Sequence, residues 1–126
     1  MEHLAILAKR APRFGISGVI ATGIHAVVAA IVMHAVLPSP ALANALGFAV
    51  ATVSSYLVNT LWSFSSRPDR RNFGRFVVVS LLGCATAAAV AGLAQRYGLH
   101  FWTGFACVVL TVPPMTFLLH SYWTYR

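Results

Sequence analysis

The chain has 126 residues, of which 59% are hydrophobic and only 9% charged, with a mean hydropathy of +0.77 and a formal net charge of +7. Soluble domains carry roughly 25% charged residues. Two acids and nine bases cannot coat a water-soluble fold of this size, so a soluble enzyme and a nucleic-acid-binding domain are both argued against.

The first segment, residues 1–13, is basic and closes with Lys9, Arg10 and Arg13. Residues 14–66 then carry no charge at all. A helix needs about 20 residues to cross a bilayer core, so this stretch is long enough to cross twice. Pro38-Ser39-Pro40 marks the turn. The pattern predicts helices over 14–37 and 41–64. Pro40-Ala41-Leu42-Ala43-Asn44 resembles a signal-peptidase site. The apolar run ahead of it is too long for a signal peptide, so helix 1 is expected to be permanent.

A basic loop, 65–75, follows with Arg67, Arg70, Arg71 and Arg75, and Asp69 as its only acid. Residues 76–95 are again free of charge and predict a third helix. Arg96 interrupts, and a fourth helix is predicted over 101–125. Helices satisfy their own backbone in lipid, and four strands are too few for a spanning barrel. Lys and Arg collect at the termini and the central loop, leaving Arg96 alone on the other side. By the positive-inside bias, both termini and the central loop are expected in the cytoplasm. The basic loop also suits anionic lipid head groups. Cys84 and Cys107 fall inside spans and read as small packing residues.

The domain over 14–126 reads as one unit built twice, with halves 13–64 and 75–125. Arg13-Phe14 opens helix 1 and Arg75-Phe76 opens helix 3. Asn59-Thr60-Leu61-Trp62-Ser63-Phe64 ends helix 2, and His120-Ser121-Tyr122-Trp123-Thr124-Tyr125 ends helix 4. Each half crosses twice, so the repeat is parallel, a design found among transporters. The expected fold class is all-α integral membrane, four transmembrane helices as two parallel-repeat hairpins. Thr52, Ser55, Asn59 and Trp62 share one face of helix 2, and Pro113, Thr116, His120 and Trp123 answer in helix 4. Gly15, Gly18, Thr22 and His25 in helix 1, and Ser80, Cys84, Ala87 and Ala91 in helix 3, read as close-packing seams.

Asn59 and His120 sit near the cytoplasmic ends of helices 2 and 4. Each either bonds a neighbouring helix or lines a polar groove for a head group. Trp62 and Trp123 belong to the interfacial aromatic belt or stack on a sugar. His25 lies near mid-membrane with no acid in any predicted span to pair with it, and reads either as a packed neutral histidine or as a substrate contact. His34 and His100 read as interfacial. Pro113-Pro114 is expected to kink helix 4. No metal-ligand spacing, paired carboxylates, phosphate loop or nucleophile–base arrangement is present. The chain is therefore expected not to be an enzyme, and to use no catalytic residue, metal or cofactor.

Three motifs then combine. Arg13-Phe14 with Gly18 opens helix 1; Ala43-Asn44 with Gly47-Phe48 starts helix 2; Ser55-Tyr56-Leu57-Val58-Asn59 runs into Trp62-Ser63-Phe64. With four spans and a central basic loop, they resemble the GtrA-like family of small bacterial membrane proteins over about 13–126. The resemblance implies a role in cell-surface polysaccharide synthesis, on polyprenyl-phosphate-linked sugars, in the bacterial cytoplasmic (inner) membrane. Asn59, Trp62 and Phe64 match the family's helix 2 signature. The chain departs from it at Thr60, where a basic residue is frequent, and at His120, where asparagine is frequent.

The leading expectation is a flippase for a polyprenyl-phosphate-linked monosaccharide. Asn59, His120, Ser55, Thr116 and His25 would line its groove, Trp62 and Trp123 would flank the sugar, and Arg13, Arg75 or Arg126 would hold the phosphate. No coupling ion is evident, so movement is expected to run down a gradient. The alternative is a non-transporting scaffold for a partner glycosyltransferase. A small multidrug exporter is disfavoured by the missing membrane carboxylate. The small-residue stripes also lead to an expected homo-oligomer, most simply a dimer. Membrane lipid and no nucleic acid complete the expected partners.

Overall fold

The computed structural model describes residues 1–36 and 38–126. The described residues form helices and no strand. Helix α1 spans Glu2–Ile31 and runs into a π turn at Val32–Val36. Helix α2 spans Pro40–Val58 and widens into a π turn at Asn59–Ser63. Helix α3 spans Arg70–Arg96. Helix α4 spans Phe101–Leu119 and ends in a π turn at His120–Thr124. Four stretches, Glu2–Val36, Pro40–Ser63, Arg70–Arg96 and Phe101–Thr124, are long and apolar enough to cross a membrane, as the charge-free runs predict. The last residue of the first expected span, Leu37, lies outside the described residues.

The chain divides into two compact units, Met1–Pro68 and Asp69–Arg126. The division falls inside the basic loop, where the repeat places it. Both helices that flank charged segments extend past their apolar cores. Residues expected as a separate N-terminal segment are helical from Glu2 onward. Of the expected loop 65–75, Arg70, Arg71 and Arg75 lie within α3. Lys, Arg, Glu and Ala are good helix formers, so a charge ends a membrane core without ending a helix. The 35 residues from Glu2 to Val36 give about 50 Å of helix, against a hydrocarbon core of about 30 Å. The first turns of α1, with Lys9 and Arg10, therefore have room to stand outside the hydrocarbon.

The helix ends are specified locally. Ser39 caps α2 by accepting from the Leu42 N–H at 3.4 Å, with Pro40 at the first helical position. Asp69 and Asn72 form a capping box on α3: the Asn72 N–H donates to the Asp69 carboxylate at 2.9 Å, and the Asp69 N–H to the Asn72 amide oxygen at 3.1 Å. The far end of α3 closes on Gly98, whose φ of +68° suits glycine. The Gly98 N–H reaches the Gln95 carbonyl at 3.0 Å and the Leu99 N–H the Ala94 carbonyl at 2.9 Å, the Schellman pattern. Helix α4 is continuous through Pro113 and Pro114. Thr116 there donates its hydroxyl to the Val112 and Pro113 carbonyls at 3.0 and 3.1 Å.

In the first unit α2 packs on α1 through Ala43, Gly47 and Ala51, all buried and four residues apart. A Cβ at Gly47 would stand 2.7 Å from His25 Cδ2 and 2.9 Å from the His25 carbonyl oxygen, so the backbones meet closely here. The expected seam on α1 is only partly used. His25 packs there, but Cβ atoms at Gly15 and Gly18 would meet nothing within 4 Å. In the second unit α3 buries Phe76, Val79, Gly83 and Ala94. Gly83 faces Thr116, and Gly104 of α4 faces Ala94, each at 3.0 Å from an added Cβ. Cys84 and Ala91, expected in the α3 seam, are exposed.

Candidate functional site

The last turn of a helix leaves carbonyls without backbone donors and carries the negative end of the helix dipole. In both units an arginine from the preceding helix of the same hairpin meets that end.

In the first unit, the π turn after α2 closes with the Phe64 N–H on the Asn59 carbonyl at 2.8 Å. Arg13 Nη1 donates to the Trp62 carbonyl at 3.2 Å, and its guanidinium lies 5.7 Å from the centre of the Trp62 ring. One turn earlier, Arg10 Nη2 reaches the Phe64 carbonyl at 3.4 Å and its guanidinium lies over the Phe64 ring. Phe14 meets Phe64 edge to face at 6.2 Å. Beneath them Ser17 is buried. Its hydroxyl bonds the Arg13 carbonyl and the Ser63 hydroxyl, each at 3.0 Å. Asn59 is 1% exposed. Its Nδ2 donates to the Ser55 carbonyl at 2.9 Å and to the Ser55 hydroxyl at 3.1 Å, while its Oδ1 has no hydrogen-bond partner among the described residues.

The second unit repeats the plan with different side chains. The Tyr125 N–H closes the π turn on the His120 carbonyl at 3.1 Å. Arg75 Nη1 donates to the Trp123 carbonyl at 2.7 Å and to the Arg126 carbonyl at 3.2 Å, with the guanidinium 5.3 Å from the Trp123 ring centre. His120 is buried, stacked on Phe76 at 4.4 Å and 16°, with Nδ1 2.9 Å from the Thr124 hydroxyl.

Set against the sequence expectations, the first unit gathers Arg13, Trp62, Asn59 and Ser55 at one helix end, and the second gathers Arg75, Trp123, Arg126 and His120. Arg126 enters through its carbonyl. Trp62 and Trp123 are 40% and 41% exposed, while Asn59 and His120 are buried. Thr116 lies one turn before His120 and bonds its own helix. His25 stands apart. Its Nε2 is 3.3 Å from Asn44 Oδ1, roughly 20 Å back along α2 from Asn59. Arg10, Ser17, Ser63, Phe76 and Thr124 were not anticipated. Ser63 and Thr124 were findable, since each directly follows the repeated tryptophan.

Elsewhere the second unit holds an open cleft of about 600 Å³ at the turn between α3 and α4, walled by Ala94, Leu99, Phe101 and Phe105 among others. It contains none of the residues expected at a site. Among the described residues no three His, Cys, Asp or Glu side chains group as metal ligands.

The family model described as GtrA/DPMS, transmembrane domain, matches residues 13–125. No curated protein and no solved structure matches the chain. The match opens at the first of the two clamping arginines and covers both hairpins. A domain of this kind points to a role in lipid-linked sugar or polysaccharide synthesis. The chain is a multi-pass membrane protein and belongs to the GtrA/DPMS transmembrane-domain family.

Proposed function

We propose that the chain moves a polyprenyl-phosphate-linked monosaccharide across the bacterial cytoplasmic membrane for cell-surface polysaccharide synthesis, without covalent chemistry or a cofactor. One observation carries the reading. Arg13 and Arg75 each hold a helix end through Nη1 alone. Among the described residues Nε and Nη2, the edge that grips two oxygens of one phosphate, remain open on both. A guanidinium tethered to carbonyls and resting on an indole is already ordered, so it loses little freedom when a phosphate arrives.

A phosphate and a sugar cannot cross hydrocarbon unaided. In each unit the arginine captures the phosphate at the cytoplasmic face, the half-exposed tryptophan beside it flanks the sugar, and the prenyl tail stays in lipid. Movement runs down the gradient set by synthesis on one side and consumption on the other. Purified protein in liposomes should equilibrate a labelled polyprenyl-phosphate hexose between leaflets, and Arg13→Gln with Arg75→Gln should abolish the movement. A folded wild-type protein no faster than empty liposomes refutes the proposal.

A second reading is a scaffold for a glycosyltransferase. The unpacked face at Gly15 and Gly18 favours it, because small residues admit a partner helix. Co-purification of a transferase, lost on replacing either glycine by leucine, is its test.

A further inference from the structure

The amide of Asn59 is held one way round. Only an N–H can face the Ser55 carbonyl at 2.9 Å, so the nitrogen must point there and the oxygen away from it. That oxygen is buried, and no donor within the described residues reaches it. A buried acceptor in this state asks for a donor from outside the chain. The equivalent position in the second unit is settled internally, with His120 stacked on Phe76 and bonded to Thr124. The first hairpin also buries two hydroxyls nearby, Ser17 and Ser63, and its helix end is widened into a π turn, a distortion frequent at functional sites.

We propose that Asn59 Oδ1 accepts a hydrogen bond from a hydroxyl of the lipid-linked head group, and so distinguishes a glycosylated polyprenyl phosphate from the bare one. The inference rests on the substrate class given under Proposed function. It assigns the two ends of the head group to different residues. An ionised phosphate offers only acceptor oxygens and cannot satisfy Oδ1, so it goes to Arg13. A sugar offers O–H donors, and one of them goes to Asn59, one helical turn before Trp62. A buried water supplies the same chemistry, and the experiment separates the two.

The test measures equilibrium binding of a polyprenyl-phosphate hexose and of sugar-free polyprenyl phosphate to the full chain in nanodiscs. Wild-type protein should prefer the hexose lipid. Asn59→Leu keeps the approximate volume and removes the acceptor. It should weaken hexose-lipid binding about tenfold, the worth of one buried hydrogen bond, and leave the bare lipid unchanged. If Asn59→Leu does not fold, Asn59→Ala replaces it with the same readout, since alanine also lacks a side-chain acceptor. An unchanged preference in the folded variant overturns the inference and leaves Oδ1 to water alone, while the transport reading stands. Wild-type protein that binds neither lipid, or both equally, overturns the inference together with the substrate class it rests on.

Discussion

Replacing Gly47 by alanine tests the packing of the first hairpin most directly. The new Cβ would lie 2.7 Å from His25 Cδ2, 3.2 Å from His25 Nε2 and 2.9 Å from the His25 carbonyl oxygen. Ordinary carbon contacts lie at about 3.5–4.0 Å. The imidazole can swing aside, but the carbonyl is backbone, so the two helices must separate. Overpacking of this kind costs about 1–3 kcal/mol. Loss of the His25–Asn44 bond at 3.3 Å adds about 0.6 kcal/mol, the average for such bonds between membrane helices. Alanine returns about 1 kcal/mol through helix propensity. The net loss is about 0.6–2.6 kcal/mol. Gly18→Ala meets nothing within 4 Å, so it gains the propensity without the clash and should be more stable by about 1 kcal/mol. Both can be measured by detergent-titrated unfolding in mixed micelles. If Gly47→Ala equals or exceeds Gly18→Ala in stability, the close approach of α1 and α2 at His25 is refuted.

Two further outcomes are expected. Ser17→Ala leaves the buried Ser63 hydroxyl without its partner at 3.0 Å and should cost about 1–3 kcal/mol. Adding Ser63→Ala should cost much less than its own single effect, and strict additivity in the double-mutant cycle would remove the pair from the account. Asp69→Ala removes the cap of α3 and leaves Arg70 and Arg71 at the positive end of the helix dipole. A loss of about 1 kcal/mol and faster amide exchange at Asn72 should follow, and unchanged exchange there rules out the capping role.

The spans were legible because a hydrocarbon core excludes charge. The gaps between Arg13 and Arg67, Arg75 and Arg96, and Arg96 and Arg126 mark where helices can cross. They do not mark where helices stop, because Arg70, Arg71 and Lys9 continue a helix as readily as alanine does. The stop of the linker was written instead in Asp69 and Asn72, whose spacing is that of a capping box. The repeat gave the site its skeleton: Arg13 and Arg75 stand over Trp62 and Trp123 in the same way. What those arginines touch was not legible. A helix-end carbonyl belongs to every residue alike, and nothing in the letters shows that it lies within reach. The π turns escaped notice for the same reason, since widening a turn needs no particular side chain. Gly15 and Gly18 fall outside the α1–α2 contact, because small residues occur at helical spacing on several faces of an alanine-rich helix. Only the partner surface selects Ala43, Gly47 and Ala51.

The widened turns also separate what the two hairpins share from what they do not. Asn59–Ser63 and His120–Thr124 are distorted at matching places, each beside an arginine-gripped tryptophan. The third such turn, Val32–Val36, has no twin, because α3 ends in the Gly98 closure. A widened end gripped by an arginine is therefore a shared part of both hairpins, while their opposite ends are built differently.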